Sequence, residues 1–177
     1  MKLKRNCEMK KILSLIISVC AIFSLMSCGE KKAYEAETKR FSSSGLTIEL
    51  TEAFEETSIE GYDAVYDSNE VAVYIIKEPF EAFKETENMS FDKYTEFLLE
   101  SNKDRSPTQI SKENGFASME YSYKNTEIDK SYKYFAAMFE GPDAYWCVQF
   151  VCEESVAKEY TPYFINWANT VTFAPRS

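Results

Sequence analysis

The stretch YKYFAAMFEGPDAYWCVQFVCEES, residues 132–155, decides the fold. Two runs rich in aromatic and β-branched residues flank Gly141-Pro142-Asp143, whose conformational freedom, preset φ and backbone-bonding side chain suit a turn. The runs therefore read as antiparallel strands over 132–139 and 144–152. Pairing Phe139 with Ala144 across the turn puts Ala137 opposite Trp146 and Phe135 opposite Val148 on one face. Ala136 then lies opposite Cys147, and Met138 opposite Tyr145, on the other. A sheet with one wet side alternates apolar and polar residues, and this one does not, so both faces need covering. Helices on both sides are the simplest cover.

Working outward, Phe116 to Tyr123 reads as a third strand, joined to a weaker one over Thr108–Glu113 by Asn114-Gly115, the strongest short hairpin signal. Carrying the register across 124–130 places Tyr121 by Tyr134 and Tyr123 by Tyr132. Further upstream, Leu46, Ile48 and Leu50 alternate with polar residues, and Tyr62–Tyr66 and Val71–Ile76 are linked by Asp67, Ser68 and Asn69. A helix is expected from Phe91 to about Asn102, with Ser90 as N-cap. From Ser155 onward, Val156, Tyr160, Phe164 and Trp167 fall within an arc of about 80° on a second helix. Pro162 lies on its far side, where it either kinks the helix or starts another with Thr161 as cap. Val171 and Phe173 read as a short closing strand at the sheet edge. The expected class is α+β, a central antiparallel sheet with helices on both faces.

The chain opens with a basic head (Lys2, Lys4, Arg5, Lys10, Lys11) and an apolar stretch from Ile12 to Met26, followed by Leu25-Met26-Ser27-Cys28 and Gly29. The apolar stretch falls short of the about 20 residues a transmembrane helix needs, and Ser14, Ser18 and Ser24 interrupt it. An ordinary secretory signal would end in a small-x-small site, and Ala21 is the one alanine nearby. The four-residue run resembles the lipobox of bacterial lipoproteins. That resemblance implies a diacylglyceryl thioether on Cys28, cleavage before it and acylation of the new amino group. Two or three acyl chains suffice for stable anchoring, whereas one is marginal. The expected organisation is a leader over 1–27, a flexible charged tether over 28–40 and a single domain over 41–177. Gly29 leaves open whether the host has one membrane or two.

Removing residues 1–27 leaves 150 residues with 15 basic and 28 acidic side chains, a net charge of −13. Such a surface repels phosphate backbones, so nucleic acid is not an expected partner. It also disfavours adsorption on an anionic bilayer, which leaves anchoring to the lipid. Histidine is absent, which excludes Ser/His/Asp triads, Cys/His dyads and histidine zinc sites. Cys7 and Cys20 leave with the leader, and Cys147 and Cys152 lie five apart in one strand, about 16 Å from each other at 3.3 Å per residue. They are too far apart for a disulfide and read as buried thiols.

Glu52, Glu55, Glu56, Glu60 and Asp63 form the densest acidic patch, with Asp67, Asn69 and Glu70 nearby, but none has the spacing of a calcium loop. They read as a solvated face. No Gly-rich phosphate cradle is present. Tyr121, Tyr123, Tyr132, Tyr134 and Tyr145 share one face and are the candidate ligand- or partner-binding residues; the alternative is that they pack under a covering helix.

Several segments resemble the fold family that joins the photosystem extrinsic protein PsbP, the Ran-binding protein Mog and the periplasmic protein DcrB. They are FSSSGLTIELTEAF (41–54), EVAVYIIKEPF (70–80), YTEFLLES (94–101), GFASMEYSYK (115–124), the 132–155 stretch and FINWANTVTF (164–173). The resemblance implies an α/β/α sandwich and a role in binding or assembly. No functional residue of the named members is carried over. The function expected is therefore that of a non-enzymatic lipoprotein, anchored to the cell membrane through Cys28 on its extracytoplasmic side. It would bind a protein partner in an envelope assembly, with no cofactor and no metal. A small-ligand or glycan-binding lipoprotein using the tyrosine face is the alternative, and a hydrolase using acidic residues stands last.

Overall fold

The structure, a computed structural model, describes residues 32–84, 86 and 89–175. The expected leader and the expected lipid-attachment residue Cys28 lie outside them. Nine strands and two α-helices follow one another among these residues. β1 (Thr38–Ser43), β2 (Leu46–Thr51), β3 (Glu55–Thr57), β4 (Ala64–Asp67) and β5 (Val71–Pro79) precede helix α1 (Phe91–Ser101). β6 (Ala117–Asn125), β7 (Lys130–Glu140), β8 (Ala144–Glu153), helix α2 (Ala157–Ala168) and β9 (Thr172–Phe173) complete the order. Six strands form one antiparallel sheet in the order β3-β4-β5-β8-β7-β6, and β1-β2-β9 form a separate three-stranded sheet. The single central sheet expected is thus two sheets.

β8 is the axis of the larger sheet. It is buried from Ala144 through Cys152 because it pairs on one side with β5 and on the other with β7. The β7–β8 register differs from the expected one by two residues, with Phe139 opposite Trp146, Ala137 opposite Val148 and Phe135 opposite Phe150. The loop is shorter than expected: the Gly141 N–H donates to the Ala144 carbonyl at 2.9 Å, leaving only Pro142 and Asp143 between. A Cβ on Gly141 would sit 2.6 Å from the Trp146 indole nitrogen, so only glycine permits this approach. An even shift keeps every side chain on its assigned face. The pairs Tyr121–Tyr134 and Tyr123–Tyr132 are found as expected.

Alternate residues of the sheet serve two separate cores. On one face, Val73, Ile75, Phe135, Val148 and Phe150 pack with Tyr160, Phe164 and Trp167 of α2 and with Leu46, Ile48 and Leu50 of β2. On the other, Tyr74, Tyr121, Tyr134, Tyr145 and Cys147 pack with Tyr94 and Leu98 of α1. The two cysteines are free and buried in opposite cores.

Ser90 caps α1, its hydroxyl accepting from the Lys93 N–H at 3.3 Å. α2 runs unbroken through Pro162, which is exposed. Thr161, instead of capping a new helix, donates its hydroxyl to the Ala157 carbonyl at 2.8 Å.

Three further expectations are corrected. Thr108–Glu113 is reduced to one bridge, Ser111 with Ser118, plus a 2.8 Å bond from the Thr108 N–H to the Glu120 carbonyl; its residues are too polar to bury a strand face. The closing strand joins β2 of the small sheet, Thr172 opposite Thr47 and Phe173 opposite Leu46. The expected tether, in its described part from Lys32, belongs to the domain: Ala33–Glu35 form a 3-10 turn with Ala33 buried, and Thr38–Arg40 open β1. Phe41 is the single buried residue of β1, so the strand reads as a charged linker.

Candidate functional site

The first of the expected binding residues lie where β6 meets β7 on the α1 face. Tyr121 and Tyr134, directly opposite one another, stack with ring centroids 4.8 Å apart and planes within 11°. Tyr123 and Tyr132 form the next pair toward the β6–β7 loop. The turn Lys103–Arg105 after α1 brings the Arg105 guanidinium over this group, 5.5 Å from the Tyr121 ring and 5.3 Å from that of Tyr123, a cation–π arrangement. Tyr62, from the segment before β4, packs on Tyr74 at 5.0 Å. The structure thus gathers four of the five tyrosines. Tyr145 stands apart near the other end of the face, stacked on Tyr94 at 4.6 Å and edge-on to Phe80, with its hydroxyl donating to the Met89 carbonyl at 3.2 Å.

Tyr121, Tyr132, Tyr134 and Tyr145 are buried and Tyr123 is half-buried. Burial pushes the Tyr134 phenol up to about 12, opposed by the Arg105 charge. It raises Tyr121 further, against the same opposition. The Tyr121 hydroxyl has no hydrogen-bond partner although the residue is only 1% exposed. These rings pack as core side chains beneath α1 and the Arg105 turn, and they present no open stacking platform.

A second constellation, not anticipated from the sequence, holds the beginning of the described chain. The Lys32 ammonium bonds Glu70 Oε1 at 2.6 Å, and the Tyr160 hydroxyl donates to Glu70 Oε2. The Ala33 N–H donates to the Tyr160 oxygen at 3.3 Å, and the Thr51 hydroxyl donates to the Ala33 carbonyl. Tyr34 stacks on Tyr163 at 4.2 Å with planes 4° apart, and its hydroxyl donates to Glu159. Side chains of β2, the β4–β5 turn and α2 thereby clasp residues 32–35. The Glu70 carboxylate raises the Lys32 pKa through its hydrogen bond. Burial, followed by the same carboxylate, raises that of Tyr160. No local motif announces the clasp, because the groups that hydrogen-bond Lys32, Ala33 and Tyr34 from the rest of the domain lie 18 to 127 residues away.

Glu78, at the end of β5, is a further buried group the sequence did not single out. It is 4% exposed, accepts from the Tyr94 hydroxyl at 2.5 Å through Oε2, and leaves Oε1 without a partner. Burial raises its pKa, and the Tyr94 hydrogen bond acts in the opposite direction. Burial also pushes the Cys147 and Cys152 thiols up to about 12, which keeps them protonated and poorly nucleophilic. In the acidic patch, Glu52, Glu55, Glu56, Glu60 and Asp63 are exposed, and Asp63 accepts from the Lys77 N–H at 2.7 Å. Among the described residues no group of three or more Cys, Asp and Glu is placed to hold a metal ion.

No protein-family model matches the chain, and no curated protein matches it. Solved structures do. The chain is similar to the solution structure of cyanobacterial PsbP (CyanoP) from Synechocystis sp. PCC 6803, at 14% identity over 85% of this chain and 99% of that one, with a TM-score of 0.49. It is similar to a crystal structure from Bacteroides thetaiotaomicron VPI-5482 at 13% identity over 80% of this chain, with a TM-score of 0.54. The match covers 49% of that structure, so the chain spans about half its length. A third is LpqN, involved in cell envelope biogenesis of Mycobacterium tuberculosis, at 11% identity over 78% and 91% of the two chains, with a TM-score of 0.48. At these identities the likeness is one of fold alone. A PsbP stands among the similar structures.

Proposed function

We propose that this protein is an extracytoplasmic lipoprotein, held to the cell membrane by lipid on Cys28, whose domain binds a protein partner and catalyses no reaction. The observation that carries the anchor is the run Leu25-Met26-Ser27-Cys28 behind a basic head and an apolar stretch. No described helix is long and apolar enough to cross a membrane. The partner reading is supported by the resemblance to a family of binding and assembly factors. The tyrosine face, whose rings are used in packing, offers no open platform to a small ligand. Crosslinking in native membranes, followed by identification of what co-purifies, tests the partner. The expected result is one protein recovered in proportion to the bait and lost when Cys28→Ser releases the domain. Recovery of nothing above background contradicts partner binding.

The small-ligand reading has one observation in its favour, the buried Tyr121 hydroxyl without a hydrogen-bond partner. A ligand reaching it must displace the Arg105 turn. Titration with oligosaccharides, monitored at the Tyr121 and Arg105 resonances, would show selective shifts if that reading held.

A further inference from the structure

The clasp on residues 32–35 fixes how far the domain stands from its anchor. Resting on the lipid attachment proposed above, we infer that the pole of the domain carrying the β4–β5 turn and the β6–β7 loop faces the lipid surface, with Ile128 as its contact point. Only residues 29–31 separate Cys28 from Lys32, and four Cα–Cα steps reach at most about 14 Å. Lys32 cannot drift from this pole, because Glu70, Tyr160 and Thr51 hold it and Ala33 there. β8 runs from the far turn at Pro142-Asp143 to Glu153 at this pole, about 30 Å away at 3.3 Å per residue. The far pole therefore stands beyond the reach of the leash.

The rows of the sheet locate Ile128. Val71, Cys152, Lys133 and Ser122 lie side by side across β5, β8, β7 and β6. The β6–β7 loop continues past that row on the side of Glu70 and Glu153. Asn125 Oδ1 accepts from the N–H groups of Glu127 (3.0 Å) and Ile128 (3.4 Å), which shapes the tip. Ile128, 52% exposed, is the one exposed large apolar side chain among the described residues. Around it the charges are largely matched: Lys124 pairs with Asp129 at 2.8 Å, Lys130 with Glu153, and Lys32 with Glu70. Matched charge and one apolar tip suit a surface held close by covalent lipid. Glu127 and the acidic remainder of the domain prevent adsorption on anionic lipid without the leash.

The test uses the acylated full-length protein in vesicles carrying a nitroxide on the lipid headgroup. A fluorophore is attached at Ile128→Cys or, at the far pole, at Ala174→Cys; the Ala174 N–H bonds the Gly45 carbonyl, close to the Ser44 carbonyl and Asp143 that share Lys77. Cys147 and Cys152 are buried and do not compete for label. Quenching is expected to be several-fold stronger at position 128 than at 174. A Gly/Ser spacer of about 20 residues inserted between Glu30 and Lys31, with a span of about 25 Å, should abolish the difference. Equal quenching at both positions, stronger quenching at 174, or a difference that survives the spacer overturns the inference while leaving the anchor intact. Failure of the protein to be acylated and to float with vesicles overturns the anchor, and the orientation with it.

Discussion

The two faces of the six-stranded sheet are built from alternate residues of the same strands, yet they bury different chemistry. Toward α2 and the small sheet the core is aromatic and aliphatic, with Phe150 stacked on Phe164 at 5.3 Å and on Trp167 at 6.2 Å. Its polar atoms are neutral, among them the phenols of Tyr66 and Tyr160, the thiol of Cys152 and the indole N–H of Trp146. Toward α1 the core encloses a carboxyl, Glu78, together with Cys147 and a set of phenols under Arg105. Only the second face holds a carboxyl whose charge state the protein must control. The first face therefore carries cohesion, and the second carries sensitivity to pH and to neighbouring charge.

That contrast is broken most easily at Phe150. Phe150→Ala should cost about 3–5 kcal/mol through lost burial and the cavity left behind, read from denaturant unfolding. Equal loss from Tyr121→Phe would show that the two faces are not distinct. Gly141→Ala sharpens the same side: its new methyl meets the buried Trp146 ring and should cost about 1–3 kcal/mol by overpacking.

On the other face the effects are smaller and depend on pH. Because burial raises the folded pKa of Glu78, its contribution is complete below the unfolded glutamate value of about 4.3 and is lost as pH rises through the higher folded value. Glu78→Gln, which still offers Tyr94 an acceptor, should remove this decline and raise stability near neutral pH by about 1–3 kcal/mol. Unfolding midpoints measured from pH 4 to pH 8 check it; a decline as steep as in the unsubstituted protein would mean that Glu78 ionises freely. The smallest effect is expected for Tyr121→Phe, within about 1 kcal/mol of neutral, since the hydroxyl it removes makes no hydrogen bond.

The meander was legible because its signals are local. Asn114-Gly115 and Gly141-Pro142-Asp143 mark the turns, and because the β7–β8 register error is even, it leaves Tyr145 on the same face as Tyr134. The two-residue slip between β7 and β8 came from the turn, where the tight packing of Trp146 on Gly141 is a tertiary fact. β1 and β3 carry no such signal. β3 is wholly exposed and β1 buries only Phe41, so neither imprints an apolar rhythm on the chain. The clasp was invisible because Lys32, Glu70 and Tyr160 have no sequence relation to one another. The five tyrosines were correctly placed on one face, but the sequence could not show that Tyr145 pairs with Tyr94 instead of joining the cluster, nor that Arg105 covers it.

The central claim is that this domain is delivered to a membrane by lipid on Cys28 and held there on a short leash. Intact mass analysis of the protein purified from membranes tests it most directly. The account predicts a mature chain beginning at Cys28 and carrying a diacylglyceryl group, with neither processing nor lipid in Cys28→Ser. An unmodified Cys28, or a mature chain beginning at any other residue, would contradict it.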